Sequence, residues 1–292
     1  MAFQSIAMKL VEVFCAFIAI FTSIYPGSAV KTNPAPERAQ GTDIRVVTFN
    51  LRYTGTGKTS VAFREKLLIP QLKEYNPDSM GFQEATVEWM GFLRNGFKDY
   101  GYVGRHRDDG MLKGEANPIF YRKDKYDLID YDTFWLSKTP DKAGSSDWNS
   151  GSVRICTYAV LENKETKERY VHFNTHLDNS STKARTEQIK IVLNKVNEFI
   201  DKYPVVLTGD FNTGRYSSVY NATSLVLNDT CLNAPIAKDM YTYHDYGNAD
   251  YLLDYIFVNN KIAPLVYRVI DDKILDTYLS DHYGIYVDLK FK

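Results

Sequence analysis

The amino-acid sequence predicts an α/β protein in which two packed β-sheets carry helices on their outer faces. Short apolar or alternating segments, which are typical of buried strands, recur from residue 44 to residue 290. Segments with helical spacing are fewer and do not alternate strictly with the strands. This pattern favours two packed sheets over a single parallel sheet.

The predicted strands cover residues 44–50, 78–83, 100–104, 117–122, 127–135, 153–161, 169–176, 204–209, 253–258, 265–270 and 282–290. The predicted helices cover residues 60–75, 86–95 and 182–202, with a further candidate at 217–227. The helix at 182–202 has the clearest signal, because Ile189, Val192, Leu193, Val196 and Ile200 recur at helical spacing.

The chain divides into a leader, a connecting segment and one domain. Residues 1–29 are typical of a signal peptide, with Lys9 near the start, an apolar stretch at 13–25 and small residues at 27–29. A membrane anchor is the alternative, although the stretch is shorter than the roughly 20 residues a span requires. Residues 30–43 are polar and contain proline, as in a linker, and 44–292 form one domain. We expect a secreted monomer without a stable membrane anchor.

Charge and cysteine content limit the function classes. Lysine and arginine number 35 and the acidic residues 36, so the formal net charge of −1 does not indicate a nucleic-acid-binding surface. Cys156 and Cys231 lie in the predicted domain. They could form a disulfide in an oxidising compartment, and the alternative is a pair of buried thiols acting as small apolar side chains.

Polar side chains stand at the ends of six apolar segments. The segments are VVTFN, SMGFQEA, VHFNTHLDN, VVLTGDFNT, YLLDYIFV and LSDHYGIYV. Their polar residues are Asn50, Glu84, His176, Asp210, Asn212, Asp254, Asp281 and His282. All are types that contact a metal ion or a phosphate, and in two packed sheets they would gather at one rim.

These residue types suit attack on a phosphate ester, which requires a hard cation, a group that activates water and donors for the phosphoryl oxygens. Glu84 and Asp281 are hard oxygen ligands of the kind that magnesium prefers. Asp210 and Asn212, two residues apart in a turn after an apolar strand, could hold a water between a carboxylate acceptor and an amide donor. Asp254 could orient His282 and stabilise its imidazolium form.

Each residue also has an ordinary structural explanation, because Asp-His and Gly-Asp pairs occur in many turns. Arg154 is either a partner for a surface carboxylate or a phosphate ligand. Tyr121 is either a strand-end aromatic residue or a substrate contact. The joint presence of the set is what favours a catalytic site.

The set resembles the endonuclease/exonuclease/phosphatase superfamily, which is DNase I-like. The resemblance rests on Asn50 at the end of the first strand, followed in order by GFQEA, THL, GDFN, LDYIF and SDHY. It runs over residues 44–289 and implies a four-layered α/β sandwich of two mixed sheets flanked by helices. It also implies hydrolysis of a phosphate ester by in-line attack of an activated water, with Mg²⁺ as cofactor and Mn²⁺ as a substitute.

The resemblance assigns roles to individual residues. Glu84 becomes the main metal ligand with Asn50 and Asp281 nearby, Asp210 and Asn212 position the water, His176 binds the scissile phosphate, and His282, oriented by Asp254, stabilises the transition state or acts as acid. The chain also resembles a secreted or bacterial subgroup in the strings GEANPIFYRKDKYDLID, WLSKTP and SVRICTYAVLE. This resemblance implies that the cleft is lined by Arg154 and by the segment 115–121, which ends at Tyr121.

Asn179 is predicted to contact the substrate, yet it also begins one of three glycosylation sequons, at Asn179, Asn221 and Asn228. A glycan at Asn179 would obstruct the cleft, so we expect that position to be unmodified. The preferred function is a secreted magnesium-dependent nuclease, other phosphodiesterase or phosphatase. The alternative is a catalytically silent secreted binding protein that keeps the fold.

Overall fold

A computed structural model describes residues 30–292, and the predicted signal peptide lies outside the described residues. The strands are β1 Ile44–Asn50, β2 Ser79–Gln83, β3 Tyr100–Val103, β4 Ile119–Arg122, β5 Tyr126–Trp135, β6 Ile155–Asn163, β7 Arg169–His176, β8 Val205–Asp210, β9 Asn228–Asp229, β10 Ile236–Ala237, β11 Asp254–Val258, β12 Ile262–Ile270, β13 Lys273–Ile274, β14 Thr277–Tyr278 and β15 Gly284–Phe291. The α-helices are α1 Val61–Tyr75, α2 Val87–Gly96, α3 Thr182–Asn197, α4 Ser218–Ser224 and α5 Thr230–Asn233. Short 3-10 helices occupy Gly57–Thr59 and Asp245–Gly247.

Two mixed sheets form the centre of the protein. The seven-stranded sheet has the order β10-β12-β15-β1-β2-β4-β3, and the six-stranded sheet has the order β5-β6-β7-β8-β11-β9. In the first sheet β1 and β2 run parallel, and in the second β7 and β8 run parallel. The predicted class, two mixed sheets flanked by helices in a DNase I-like arrangement, is confirmed.

Local sequence signals determine where the helices start and stop. At the start of α2 the Thr86 side chain accepts a hydrogen bond from the Trp89 amide, and Ser181 caps α3 through the Ala184 amide. Helix α1 ends at Asn76, which adopts the left-handed conformation (φ 46°) and precedes a proline.

Apolar residues fill two separate layers. Between the sheets, Val46 and Ile285 of the first sheet pack with Val206 and Ile256 of the second, all almost fully buried. On the outer face of the second sheet, α3 and α4 cover strands β5 to β8 and β11. Helix α3 packs there through the apolar stripe that its sequence predicts. On the first sheet, the Tyr75 ring of α1 lies 5.2 Å from the Tyr286 ring of β15.

A polar seam crosses the centre of the two sheets and holds them close together. His172 of β7 bonds through Nδ1 to Ser79 Oγ of β2 (3.0 Å) and through Nε2 to Thr208 Oγ1 of β8 (2.9 Å). A Cβ atom added to Gly81 would lie only 2.4 Å from Thr208 Oγ1. Glycine is therefore required here by the close approach of the two sheets.

The segment predicted as a linker packs on the domain over much of its length. The Asn33 amide donates to Gln71 Oε1 (2.8 Å), Arg38 pairs with Asp78 (2.6 Å) and the Ala39 amide donates to Asp288 Oδ2 (2.9 Å). The polar composition of the segment therefore serves contacts with the domain, because its donors bond to the buried side chains of Gln71, Asp78 and Asp288.

Cys156 and Cys231 are free and buried, so the structure favours two small apolar side chains over a disulfide. Cys156 belongs to the outer core under α3, whereas Cys231 belongs to the core between the sheets. Among residues 30–292, no helix has both the length and the apolar character that crossing a membrane requires.

Candidate active site

One row of polar residues crosses the end of the six-stranded sheet. The strand register places His176, the last residue of β7, opposite Asp210, the last residue of β8. Asp210 in turn pairs with Asp254, the first residue of the antiparallel strand β11. Because β11 runs in the opposite direction, its beginning lies at the same rim as the ends of β7 and β8.

The seven-stranded sheet contributes a second row at the same rim. Asn50 ends β1, Glu84 directly follows β2, and Asp281 and His282 precede the antiparallel strand β15. Asn50 Nδ2 donates to Glu84 Oε1 at 3.2 Å and to Asp210 Oδ2 at 2.9 Å. The buried Asn50 amide therefore joins the two sheets at the candidate site.

The loop after β1 braces both carboxylates of the predicted metal site. The Tyr53 amide donates to Glu84 Oε2 at 2.7 Å, and Arg52 Nε lies 3.4 Å from Asp281 Oδ2. Arg52 and Glu84 both adopt the left-handed conformation, with φ of 55° and 59°. Such strain at non-glycine residues persists only where the surroundings impose it, and it is common at functional sites.

Arg64 of α1 holds this loop from behind. Its guanidinium is fully buried and donates to the carbonyl oxygens of Leu51, Arg52 (2.8 Å) and Leu279 (3.2 Å), while Nε donates to Thr59 (2.7 Å). One side chain therefore fixes both the loop after β1 and the segment that leads into Asp281.

His282 and Asp254 form a buried pair. His282 Nδ1 donates to Asp254 Oδ2 at 2.8 Å, and Nε2 lies 3.8 Å from Asp210 Oδ2. Burial alone would favour the neutral ring, but the carboxylates of Asp254, Asp210 and Asp281 outweigh it and raise the pKa of His282 to about 10. His282 is therefore an imidazolium at neutral pH.

Asp210 occupies the centre of the site. Its Oδ1 accepts a hydrogen bond from the Asn212 amide at 2.8 Å, and its Oδ2 accepts one from Asn50. Burial and the nearby Asp254 carboxylate raise the pKa of Asp210 to about 7, against the opposing effect of His282. A carboxyl group with a pKa near neutrality can exchange a proton at physiological pH.

His176 is a neutral ring with a defined tautomer. Burial, together with Arg154, Arg107 and His282, holds the pKa of His176 well below its usual value. Asn212 Nδ2 donates to the Leu177 carbonyl at 3.0 Å, which fixes the amide orientation, and it also lies 2.9 Å from His176 Nε2. Nε2 must therefore accept, and Nδ1 carries the hydrogen.

Two arginines form the wall near His176. Arg154 is 5% exposed, and its Nη2 donates to Asn179 Oδ1 at 3.3 Å. Arg107 Nη1 donates to Glu115 Oε2 at 2.7 Å. Burial raises the pKa of Glu115 against the effect of Arg107, and the Glu84 carboxylate acts in the same direction as burial. The arginine wall, Arg107 and Arg154, thus faces the same space as Glu84.

The two rows and the arginine wall enclose a pocket of about 590 Å³. Eight of the eleven predicted site residues line it: Glu84, Arg154, His176, Asn179, Asp210, Asn212, Asp281 and His282. Asn50 and Asp254 lie directly behind, each hydrogen-bonded to a residue that lines the pocket. As expected from the sequence, these residues lie together at one rim of the two sheets.

Tyr121 is a correction, because the structure places it away from this pocket. Its partner across the ladder is Ser79, at the opposite end of β2 from Gln83 and Glu84. Its ring is buried in the core between the sheets and packs against Gly101. Strand β4 runs antiparallel to β2, so the end of β4 points away from the rim where β2 ends. Glu115, at the other end of the predicted segment, does line the pocket.

Six pocket residues were not assigned a role from the sequence. They are Arg52, Tyr53, Arg107, Ser152, Tyr243 and Leu253. Arg52 and Tyr53 directly follow the Asn50 motif, so extending that motif would have included them. Arg107 and Tyr243 lie in polar loops whose positions depend on the tertiary fold.

Two sets of residues could hold a metal ion. Within residues 30–292, Asp210, Asp254 and His282 form a group whose ligand atoms all lie within 4.8 Å of one another. In this group, His282 Nδ1 is already hydrogen-bonded to Asp254 at 2.8 Å, and Asp254 is buried behind the residues that line the pocket. Glu84 and Asp281 offer carboxylates at the pocket wall, the oxygen donors that suit Mg²⁺.

Comparison with known proteins agrees with this geometry. The model of the Endonuclease/Exonuclease/phosphatase family matches residues 47–282. This chain belongs to that family. Family members are hydrolases that act on phosphate esters and generally use a divalent metal. The predicted family and enzyme class are therefore confirmed.

Solved structures of bacterial family members are similar over nearly their whole length. An endonuclease/exonuclease/phosphatase of Bacteroides vulgatus is 31% identical with a TM-score of 0.82, covering 85% of this chain and 99% of that one. The mannosyl-6-phosphatase of Bacteroides thetaiotaomicron is 29% identical with a TM-score of 0.80, covering 85% of this chain and 100% of that one.

Similarity to curated eukaryotic proteins is more distant and partial. Ccr4, the 3′-5′-exoribonuclease subunit of the CCR4-Not complex in Aspergillus niger, is 24% identical over 217 residues, 58% of this chain and 33% of that protein. Nocturnin of Drosophila melanogaster is 25% identical over 206 residues, 62% of this chain and 30% of that protein. The chain thus spans about a third of the length of these relatives.

Proposed function

We propose that this protein is a secreted, magnesium-dependent phosphoesterase that acts as a monomer and hydrolyses a phosphate ester by in-line attack of an activated water. The observation that carries the proposal is the meeting of six distant segments around one pocket, with acidic residues, a neutral histidine and a buried imidazolium each in a distinct position. Family membership supports hydrolysis of phosphate esters, while the metal and the secretion are our inference.

Glu84 and Asp281 are the residues that would hold Mg²⁺, which when bound withdraws charge from a phosphoryl oxygen and favours deprotonation of a coordinated water. The Tyr53 amide orients Glu84, and the Arg52 side chain contacts Asp281. Asn50 Oδ1 already accepts the Arg52 amide at 3.0 Å, so Asn50 serves mainly to orient Glu84 and Asp210.

Asp210 is the group that would take the proton from the attacking water. It lies between Asn50 and the Asn212 amide, and its pKa is raised to about 7 by burial and Asp254. Asn212 is held in the left-handed conformation (φ 50°), which directs its side chain towards His176. Asn212 thereby holds the His176 ring, whose Nδ1–H has no acceptor within residues 30–292 and would donate to a phosphoryl oxygen.

His282 would stabilise the charge that develops on the phosphoryl group or protonate the leaving oxygen. Its imidazolium form is maintained by Asp254, and its Nε2 faces Asp210. A positive donor at this position acts on charge that appears in the transition state.

The first experiment assays the purified protein with Mg²⁺ on DNA, RNA, a chromogenic phosphodiester and phosphate monoesters. Glu84→Gln should lower turnover by more than about a hundredfold, as should His282→Ala and Asp210→Ala, since losing one such group commonly costs that much. Glu88→Gln, an exposed glutamate at the start of α2, is the matched control and should leave turnover unchanged. Activity that survives Glu84→Gln or excess EDTA on every substrate would refute the mechanism.

The localisation is tested separately. The apolar leader at residues 1–29 supports export. We expect the mature protein in the extracellular fraction with its first residue near position 30, as N-terminal sequencing would determine. An intact residue 1 on the active, exported protein would contradict a cleaved signal peptide.

A further inference from the structure

We propose that the arginine wall makes this pocket selective for phosphate monoesters, recognising the second negative charge that a phosphodiester lacks. The inference rests on the proposed function and narrows its substrate class. Its basis is a group of buried nitrogen donors on one side of the pocket that have no acceptor in the described part of the chain.

Arg154 provides the central observation. Its guanidinium is at the pocket wall but 95% buried, and neither Nε nor Nη1 has a hydrogen-bond partner among residues 30–292. The nearest carboxylate oxygen, Asp178 Oδ1, lies 3.9 Å from Nε. A buried cation without a hydrogen-bonded counter-ion is costly and indicates that an anion binds there.

Asp178 makes no hydrogen bond to Arg154, because its two oxygens accept backbone amides instead. Oδ1 accepts the amides of Gly151 (2.9 Å) and Ser152 (3.3 Å), and Oδ2 accepts those of Ser180 (3.0 Å) and Ser181 (2.6 Å). Asp178 thus holds together the two loops that carry Arg154 and Asn179. The arrangement fixes the loops on both sides of the guanidinium, while no acceptor among residues 30–292 takes the hydrogens on its Nε and Nη1.

The rest of the wall adds positive charge and further donors. Arg107 is hydrogen-bonded to Glu115. Within residues 30–292, Glu115 is thus the one carboxylate at hydrogen-bond distance from the side chain of either arginine. Arg107 Nε is also buried without a partner in the described region. His176 is neutral with its hydrogen on Nδ1, which likewise has no acceptor within residues 30–292. Apart from the Glu115 carboxylate, the groups on this side of the pocket are donors, which suits a ligand that offers only acceptors.

A monoester fits this environment better than a diester. Its phosphoryl group has three non-bridging oxygens sharing two negative charges, so that some can face Glu84 and Asp281, which would hold the metal, while another faces the arginine wall. A diester has two such oxygens and one charge, and its second alkoxy group would face the guanidinium of Arg154. Planar guanidinium groups are well matched to an oxyanion and poorly matched to an alkyl group.

The reaction then balances as ROPO₃²⁻ + H₂O → ROH + HPO₄²⁻. A bond forms between the water oxygen and phosphorus, and the bond between phosphorus and the alcohol oxygen breaks. Asp210 takes one proton from the water, and the departing oxygen receives a proton, which His282 can supply. The products are an alcohol and inorganic phosphate, which the arginine wall also binds.

The test compares two esters with one leaving group, p-nitrophenyl phosphate and methyl p-nitrophenyl phosphate, with Mg²⁺ present. We expect the wild type to hydrolyse the monoester with a kcat/KM at least about tenfold higher than the diester. Arg154→Met should lower the monoester kcat/KM by about a hundredfold or more and the diester value by less than about tenfold, since only the monoester uses the lost charge. Arg105→Met, an exposed arginine of the same loop as Arg107, is the control and should change neither.

Because Arg154 is buried, circular dichroism melting must accompany the kinetics. If Arg154→Met does not fold, Arg107→Met, which removes a half-buried arginine from the same wall, and Arg154→Lys, which keeps the charge, replace it. Arg107→Met should lower monoester turnover selectively, and Arg154→Lys should retain part of it. Equal losses on both esters in a folded variant would overturn the proposal.

Binding separates this inference from the proposed function. By titration calorimetry with Mg²⁺, inorganic phosphate should bind the wild type at least about tenfold more tightly than dimethyl phosphate, and Arg154→Met should abolish the difference. If the protein hydrolyses neither ester but keeps this selective binding, the proposed function is wrong, while the inference that the arginine wall recognises the second negative charge is supported. If dimethyl phosphate binds as tightly as phosphate, the inference fails whatever the activity.

Discussion

Replacing Arg64 with lysine should weaken metal binding although Arg64 touches no ligand of the proposed metal site. Arg64 donates to four carbonyl oxygens, those of Leu51, Arg52, Thr59 and Leu279, in a planar arrangement that lysine cannot reproduce. The loop it holds carries the Arg52 side chain to Asp281 and the Tyr53 amide to Glu84.

The magnitude follows from the donors lost. A lysine at this position would leave about two of the four carbonyls without a donor, at a cost of about 1–3 kcal/mol each in the free energy of unfolding. The Arg52 carbonyl keeps the Trp89 indole as a donor at 3.0 Å, so it is the least affected. Residues that orient metal ligands typically contribute a factor of about 10–100 to metal affinity, and we expect a loss of that size.

The assay is titration calorimetry with Mg²⁺ on folded protein, together with thermal melting. Arg45→Lys is the matched control, because Arg45 is similarly buried and pairs with Asp288 (2.6 Å) near the ends of β1 and β15 that lie opposite the pocket rim. We expect both variants to melt at lower temperature and only Arg64→Lys to bind Mg²⁺ more weakly. Unchanged Mg²⁺ affinity in a folded Arg64→Lys protein would show that the loop does not position the carboxylates.

Two further outcomes concern histidines. Burial lowers the pKa of His172 to about 3, so below its unfolded value of 6.5 the unfolded chain binds a proton that the folded protein does not, and stability falls with pH. Between pH 7 and pH 5 the free energy of unfolding decreases by about 2 kcal/mol for this reason. Urea unfolding of His172→Gln should lack that part of the decrease. An identical decrease in the variant would contradict the lowered pKa of His172. Asp254→Asn removes the main carboxylate that holds the pKa of His282 near 10. The basic limb of the pH–rate profile should therefore move towards neutrality, and turnover at pH 8 should fall more than about tenfold. A basic limb that does not move would show that His282 does not act as an imidazolium.

The sequence predicted the elements well wherever the local pattern also decided the structure. Strand β1 occupies residues 44–50 as predicted, because every side chain in it is buried. Helix α3 ends at Asn197, although the predicted helix continued to residue 202. The apolar spacing continues to Ile200, but the chain must leave the helix before Pro204, which disfavours helical geometry in the residue that precedes it.

The site was predictable where a motif stood at a strand end and unpredictable where a loop supplied the residue. His176, Asp210 and Asp254 fall in one row because their strands share a rim, which order along the chain can suggest. Tyr121 was misplaced because the direction of β4 is a property of the sheet and not of its own sequence. The partners of Arg107 depend on how its loop folds back to Glu115, which no local pattern indicates.

The close contact at Gly81 has a consequence for how mutations act at a distance. The candidate catalytic groups are divided between two sheets, and the close approach of Gly81 to Thr208 sets the distance between those sheets. A single methyl group at position 81 would wedge the sheets apart and stretch the Asn50–Asp210 bond of 2.9 Å, several residues away. The geometry of the candidate site thus depends on the spacing between the two sheets. A substitution at a residue that does not contact the substrate can therefore abolish activity.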